Sequence, residues 1–196
     1  MNHYSQNNEQ EIILDLFNGK TEGRFLDIGA YDATMLSNTR ALYEMGWSGV
    51  MVEPSPEPFV ALLKQYGNDP RVTLIHAAVG LKDDLRKMYA TADAISTTDE
   101  KFRATWEASG HKFTGSFLCP VIAAGNILPH LDFDFVNIDT EGNSGDLLME
   151  YLRIGLRPEA YCVEHDHKHD KLTRLAGSHG YRWVATTGEN LILARV

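Results

Sequence analysis

The stretch that most limits what this chain can fold into is residues 25–53, FLDIGAYDATMLSNTRALYEMGWSGVMVE. Phe25, Leu26, Asp27 and Ile28 read as a mostly apolar strand that breaks at Gly29. After an irregular turn, Leu36, Thr39, Leu42 and Tyr43 recur on one side of a helix, and Gly46 supplies the left-handed residue that stops it. A second apolar run, residues 49–52, ends on Glu53. This is one β-α-β unit, and such a unit implies parallel strands joined by a right-handed crossover. An acid 24 positions after Gly29 stands where a nucleoside-binding sheet needs a carboxylate, because two vicinal ribose hydroxyls can both donate to it. The competing reading of Glu53 is a solvated strand end.

The same alternation runs through most of the chain. Ile12, Ile13, Leu16 and Phe17 share one helical face before Asn18 and Gly19. Pro54, Pro56 and Pro58 are expected to delay the next helix until Phe59, and residues 71–79 read as a third strand. Residues 81–115 are less regular, with an extra strand at 85–89 and a helix that is capped by Thr98 or Asp99 and carries Phe102 and Trp106. An insertion of this length is either a lid or substrate-binding flap, or a variable surface excursion. Further strands are expected at 117–122, 132–138 and 160–163, with helices at 144–153 and around Leu172, Leu175 and Ala176. The runs at 181–185 and 191–194 read as a hairpin that adds one antiparallel strand at the sheet edge. The fold class is therefore α/β, a single domain over residues 1–196 with a mostly parallel sheet.

Charge narrows the partners. With Asp+Glu 27 against Lys+Arg 18, the formal charge of -9 argues against binding along a nucleic acid or lying on an anionic membrane, and favours a small molecule or glycan. Cys119 and Cys162 lie in apolar runs without metal or redox spacing, which suits a reducing, cytoplasmic setting. The polar opening MNHYSQNNEQ does not read as a leader, and no apolar stretch approaches membrane-spanning length. Oligomeric state is not legible.

Ligands of open α/β sheets bind beyond the carboxyl ends of the strands. Here those ends carry Asp27 to Gly29, Glu53, Ala77 and Ala78, Asp139, and Glu164 to Asp166. The first turn, Gly29-Ala30-Tyr31-Asp32-Ala33, has one glycine, too few for the close backbone approach a pyrophosphate needs. A nucleoside without phosphates fits better, and S-adenosylmethionine is such a ligand. A nicotinamide-dependent oxidoreductase and a non-catalytic nucleoside-binding module are the competing readings.

The chain resembles the FkbM family of S-adenosylmethionine-dependent methyltransferases. The resemblance rests on Tyr4-Ser5-Gln6, FLDIGAYDATMLSNT, GWSGVMVEPSPEPF, HAAVG, DFVNIDTEG and VEHD, in that order. It implies a Rossmann-like class I methyltransferase fold and a hydroxyl as methyl acceptor. It also implies a cofactor site built from Gln6, Asp27, Gly29, Ala30, Tyr31, Asp32, Ser37, Asn38, Glu53, Pro54, Ser55, Ala77 and Ala78; helix capping is an equal reading of Ser37 and Asn38, and stabilising the turn is the alternative for Asp27. The chain departs from the family pattern at Tyr31 and Ala33, where Asn and Gly are common.

Asp139 and Glu141 sit two apart beyond a strand end, and Gly142 permits a turn, so both carboxylates can face the crevice; a pair capping the next helix is the alternative. His165 is the candidate general base, since imidazole titrates near neutrality. Asp139, Glu164, Asp166 and the histidines are potential ligands for a divalent metal, but HDHKHD has no defined metal spacing and no metal is expected.

Overall fold

Strand β1 (Arg24–Ile28) is buried along nearly its whole length, which is why its sequence is mostly apolar and not an alternation, Asp27 being the one charged residue buried in it. The computed structural model describes residues 2–91, 94–127 and 132–196. β1 pairs in parallel with β2 (Ser48–Val52) on one side and β7 (Phe135–Ile138) on the other. Beyond β2 lies β3 (Val72–Ile75), and beyond β7 lies β8 (Ala160–Glu164), both parallel. β10 (Asn190–Arg195) runs antiparallel to β8, and β9 (Tyr181–Thr187) closes that edge. Among the described residues the order is β3-β2-β1-β7-β8-β10-β9. Strand order reverses between β1 and β7, so the ligand crevice of an open sheet falls at their carboxyl ends.

Side-chain alternation divides the core between two faces. Leu26, Ile28, Val136 and Ile138 pack toward α6 (Ser144–Arg153), which contributes Leu147, Leu148 and Tyr151. Phe25, Met51 and Phe135 pack on the opposite face with Ile13 of α1 (Glu9–Leu16), Leu42 of α2 (Arg40–Glu44), Leu62 of α3 (Pro56–Tyr66) and Trp47. Each fully buried Leu, Ile or Phe contributes about 1.5–3 kcal/mol of transfer free energy. Trp47 is fully buried against Phe17, and its indole N–H donates to the Lys20 carbonyl at 3.1 Å. Among the described residues no helix is long and apolar enough to cross a membrane.

Four boundaries differ from those read in the sequence. The third strand breaks at His76 and Ala77, and its second part, β4 (Ala78–Gly80), leaves the main sheet to pair with β6 (Gly115–Ala123). α2 starts only at Arg40, because Ser37 and Thr39 spend their hydroxyls on Arg40 N and Asp27; Leu36 lies outside the helix, 48% exposed. α3 starts at Pro56 and not at Phe59, since a proline in the first turn forfeits no helical hydrogen bond. The antiparallel strand of the terminal hairpin is β10, one in from the edge, where it pairs on both sides.

Within residues 81–115, the strand expected at 85–89 is β5 (Asp84–Ala90), paired with β6 in a second sheet of order β4-β6-β5. The expected helix is α4 (Glu100–Ala108), and Asp99 is its cap, accepting from Lys101 N at 2.7 Å and Phe102 N at 3.0 Å. Thr97 ties this insertion to the main sheet by donating to the Glu141 carbonyl at 2.7 Å. After α5 (Ala124–Ile127) the chain returns to β7, and α7 (His169–Gly177) links β8 to β9.

Candidate functional site

Gly29 makes the crevice possible. Its φ of +81° is left-handed, and a Cβ there would lie 1.6 Å from the Asp139 carbonyl oxygen, so only glycine lets β1 and β7 end in contact. Gly29 N and Ala30 N both donate to Val52 O, and Asp139 N donates to Ile28 O at 2.9 Å, which holds the three strand ends together.

Two cavities open there. A narrow crevice is lined by Gly29, Tyr31, Glu53, Pro54, Ser55, Ala77 and Ala78 of the expected cofactor set. A larger cavity of about 660 Å³ lies between the ends of β7 and β8 and helix α4, and within the usual size of a small-molecule site. Gln6 and Asn38 line this second space, with Phe102 and Trp106 facing in from α4. Asp139 and Glu141 border both cavities.

Glu53 is 4% exposed. Its two oxygens accept from Tyr31 N at 2.9 Å and Ser55 N at 2.6 Å, leaving further lone pairs for a ligand. Burial raises its pKa, and those two backbone bonds oppose the rise. Asp27 lines neither cavity: it is buried, accepting from Thr39 Oγ1 at 2.5 Å and Asn137 Nδ2 at 2.9 Å. Asn137 in turn accepts from Asn38 Nδ2 at 3.0 Å, which leaves Asn38 Oδ1 buried and without a partner on the wall of the larger cavity. Asp27 thus aims Asn38 through Asn137. Ala30 and Ser37 lie away from both cavities, and Asp32 folds its own loop by accepting from Thr34 N and Met35 N. Ala33 packs in the core, its carbonyl accepting from Tyr66 Oη at 3.1 Å, so its methyl does not enter the crevice.

His165 is not brought to either cavity. Its Nδ1 accepts from His167 N at 3.1 Å, which leaves Nε2 to donate to Gly188 O at 3.0 Å. Both ring nitrogens are spent on the backbone, and of the expected catalytic residues it is Asp139 and Glu141 that border the cavities. Glu164, absent from the expected catalytic set, is the partner that strand pairing adds. Its Oε2 accepts from Ser144 Oγ at 2.9 Å and Glu141 N at 3.1 Å, and an Asp139 oxygen lies within 4.8 Å of a Glu164 oxygen. Burial above all holds both above the ordinary carboxylate range, helped by the charges of Asp27, Asp166 and Glu53 around Asp139 and of Asp139, Glu141 and Asp166 around Glu164. Asp139, Glu141 and Glu164 each place one oxygen within 4.8 Å of the others.

Backbone strain marks the same place. Among the described residues the non-glycine positions with positive φ are Tyr31, Leu36, Glu141, Asp166 and His167, and every one of them lines one or both cavities. Such conformations cost about 1–3 kcal/mol each and persist where a site requires them. Nothing in the residue types announces this, except that Asn, common in the family at the position of Tyr31, tolerates left-handed φ better than Tyr does.

The family model described as the Methyltransferase FkbM domain matches residues 27–182. No curated protein matches the sequence. Among solved structures, the chain is similar to a methyltransferase FkbM from Methylobacillus flagellatus, at 13% identity and a TM-score of 0.57, covering 89% of this chain and 44% of that one. This chain therefore spans less than half the length of that structure. It is also similar to precorrin-6y C5,15-methyltransferase from Geobacter metallireducens (15% identity, TM-score 0.52, covering 95% of this chain and 88% of that one). A third similar structure is the fibrillarin pre-rRNA processing protein of Methanococcus jannaschii (12% identity, TM-score 0.51, covering 97% and 76%). At these identities the likeness is one of fold, a Rossmann-like methyltransferase sheet.

Proposed function

The chain belongs to the FkbM methyltransferase family, and from that premise we propose that it transfers a methyl group from S-adenosylmethionine to a hydroxyl of a small molecule or sugar. The observation that carries this reading is the meeting of two cavities at Asp139 and Glu141. A nucleoside in the crevice and an acceptor in the larger cavity then face each other across those carboxylates.

The residues suit the cofactor. Glu53 offers its remaining lone pairs to the ribose hydroxyls, and Ala77 and Ala78 leave room for a flat base. Asn38 Oδ1, buried and unpartnered, suits the ammonium of the amino-acid tail. Bound S-adenosylmethionine supplies an electrophilic methyl on a cationic sulfur. Either Asp139 or Glu141 would take the proton of the acceptor hydroxyl as its oxygen takes the methyl from the cofactor's sulfur, which would leave as the neutral thioether, and the raised affinity of Asp139 for a proton makes it a better base than a free carboxylate. Phe102 and Trp106 give an acceptor ring an aromatic wall, and the insertion as a whole acts as the substrate-binding flap. The charge of -9 supports a small or glycan acceptor over nucleic acid, and two buried free cysteines suit a reducing cytoplasm.

Calorimetric titration with S-adenosylmethionine, S-adenosylhomocysteine and NAD tests the cofactor. The first two are expected to bind; binding of NAD alone supports an oxidoreductase, and binding of none, or binding without turnover, a non-catalytic module. The acceptor is tested by incubating a cell extract with cofactor carrying a ¹³C methyl. An O–CH₃ carbon shift in the product is expected, and an N–CH₃ shift overturns the hydroxyl assignment.

A further inference from the structure

We propose that Asp139, Glu141 and Glu164 form a binding site for one hard divalent cation, such as Mg²⁺ or Mn²⁺, at the junction of the two cavities. One oxygen from each lies within 4.8 Å of the others. Hard divalent cations hold oxygens at about 2.0–2.6 Å, so two ligands of one ion are at most about 5 Å apart. The three carboxylates already stand within that span. All candidate ligand atoms are oxygens, which selects a hard ion over zinc. Among the described residues no histidine nitrogen falls within this group: the rings of His165 and His169 bond to Gly188, and to Asp170 and Thr186, and His167 lines the larger cavity outside the group.

A second observation points to the same ligand. Asp166 lines the larger cavity with these carboxylates, and its side chain is only 6% exposed. Its Oδ2 has a distant partner in Lys168 Nζ at 3.4 Å, while Oδ1 is buried with none. Asn190 Oδ1, on the same wall, is likewise buried and unpartnered. A buried polar atom left unpaired costs about 1–3 kcal/mol. Both orphans are acceptors, so each lacks a donor or a cation even though Lys101 and Lys168 line the same cavity. A hard cation that keeps part of its water shell supplies both, because metal-bound waters are strong donors. The ion's role, though not the site, rests on the proposed O-methylation: beside the acceptor it would favour the alkoxide by lowering the hydroxyl pKa.

The test is titration of Mn²⁺ alone into the full chain, freed of metal by chelator and desalting, with free Mn²⁺ read from its electron paramagnetic resonance signal. Cofactor and acceptor are left out, so failure here does not bear on methyl transfer. One ion per chain is expected, with a dissociation constant of about 10⁻³ M or tighter. Glu141→Gln and Glu164→Gln are expected to weaken binding by about 10-fold or more, a loss that even outer partners of metal ligands can cause. Glu189→Gln, an exposed acid on the same cavity, is expected to leave it unchanged. Circular dichroism reports whether each variant folds, and if Glu164→Gln does not, Glu141→Gln decides. A free Mn²⁺ signal undiminished by wild-type protein, or binding that survives in the folded variants, overturns the proposal.

Discussion

Replacing Glu53 by alanine removes the acceptor for Tyr31 N and Ser55 N together with the group assigned to the ribose. Two buried backbone donors left unpaired cost about 1–3 kcal/mol each. Part of that is offset, because the variant no longer buries a carboxylate whose charged form burial disfavours. A net destabilisation of about 1–3 kcal/mol leaves a folded protein. The effect on binding is larger. Two ribose hydroxyls donating to a carboxylate are worth about 1.5–3 kcal/mol each, which at about 1.4 kcal/mol per decade is a loss of about 10²–10⁴ in affinity. Glu53→Gln sharpens the test: its amide turns an NH₂ toward one of two backbone N–H groups, so it should disturb the loop while keeping its size. Isothermal titration with S-adenosylhomocysteine, beside a thermal melt of each variant, separates the two effects. A folded Glu53→Ala protein whose affinity lies within about threefold of wild type refutes the ribose assignment.

Asp139 and Glu164 bind protons more tightly folded than unfolded, so the stability they contribute is present near the ordinary carboxylate value of about 4 and is lost as pH rises above it. The wild-type melting temperature, taken relative to Glu164→Gln, should therefore fall between about pH 5 and pH 7; a rise over that window contradicts the burial of this carboxylate pair. Gly29→Ala forces a left-handed alanine against the Asp139 carbonyl and should cost about 2 kcal/mol or more, read from the urea midpoint; an unchanged midpoint would mean β1 and β7 do not meet as described. The Tyr151 hydroxyl is buried without a partner, so Tyr151→Phe should leave stability unchanged or raise it by about 1 kcal/mol in the same assay, and a clear loss would reveal an unseen partner.

Features set by local periodicity were legible before any coordinates. The run ending at Glu53, a helix capped by Thr98 or Asp99 and the helix carrying Leu147, Leu148 and Tyr151 each follow from spacing within one turn or one strand. What failed had a non-local cause. The stretch 71–79 is mostly apolar and read as one strand, yet it splits because β4 finds its partner in β6, some forty residues on. His165 looked like a base from its place after a strand, but the Gly188 carbonyl that occupies its ring comes from the hairpin. Asp27 looked like a cofactor contact, but it shares the strand face of Phe25, and Thr39 and Asn137 close over it.

The residues 25–53 by themselves determined a β-α-β unit that ends on an acid, and set the expectation of a nucleoside-sized ligand, because strand period, helix period and the shortage of glycine are properties of neighbouring residues. Only the tertiary structure decided which carboxylates meet. Parallel pairing of Ile28 with Ile138 and of Ile138 with Val163 sets Gly29 against Asp139, and Asp139 against Glu164. Register between strands more than a hundred residues apart in one case, and twenty-five in the other, is fixed by how the whole sheet packs, and it brings together the acids on which both the proton transfer and the proposed cation depend.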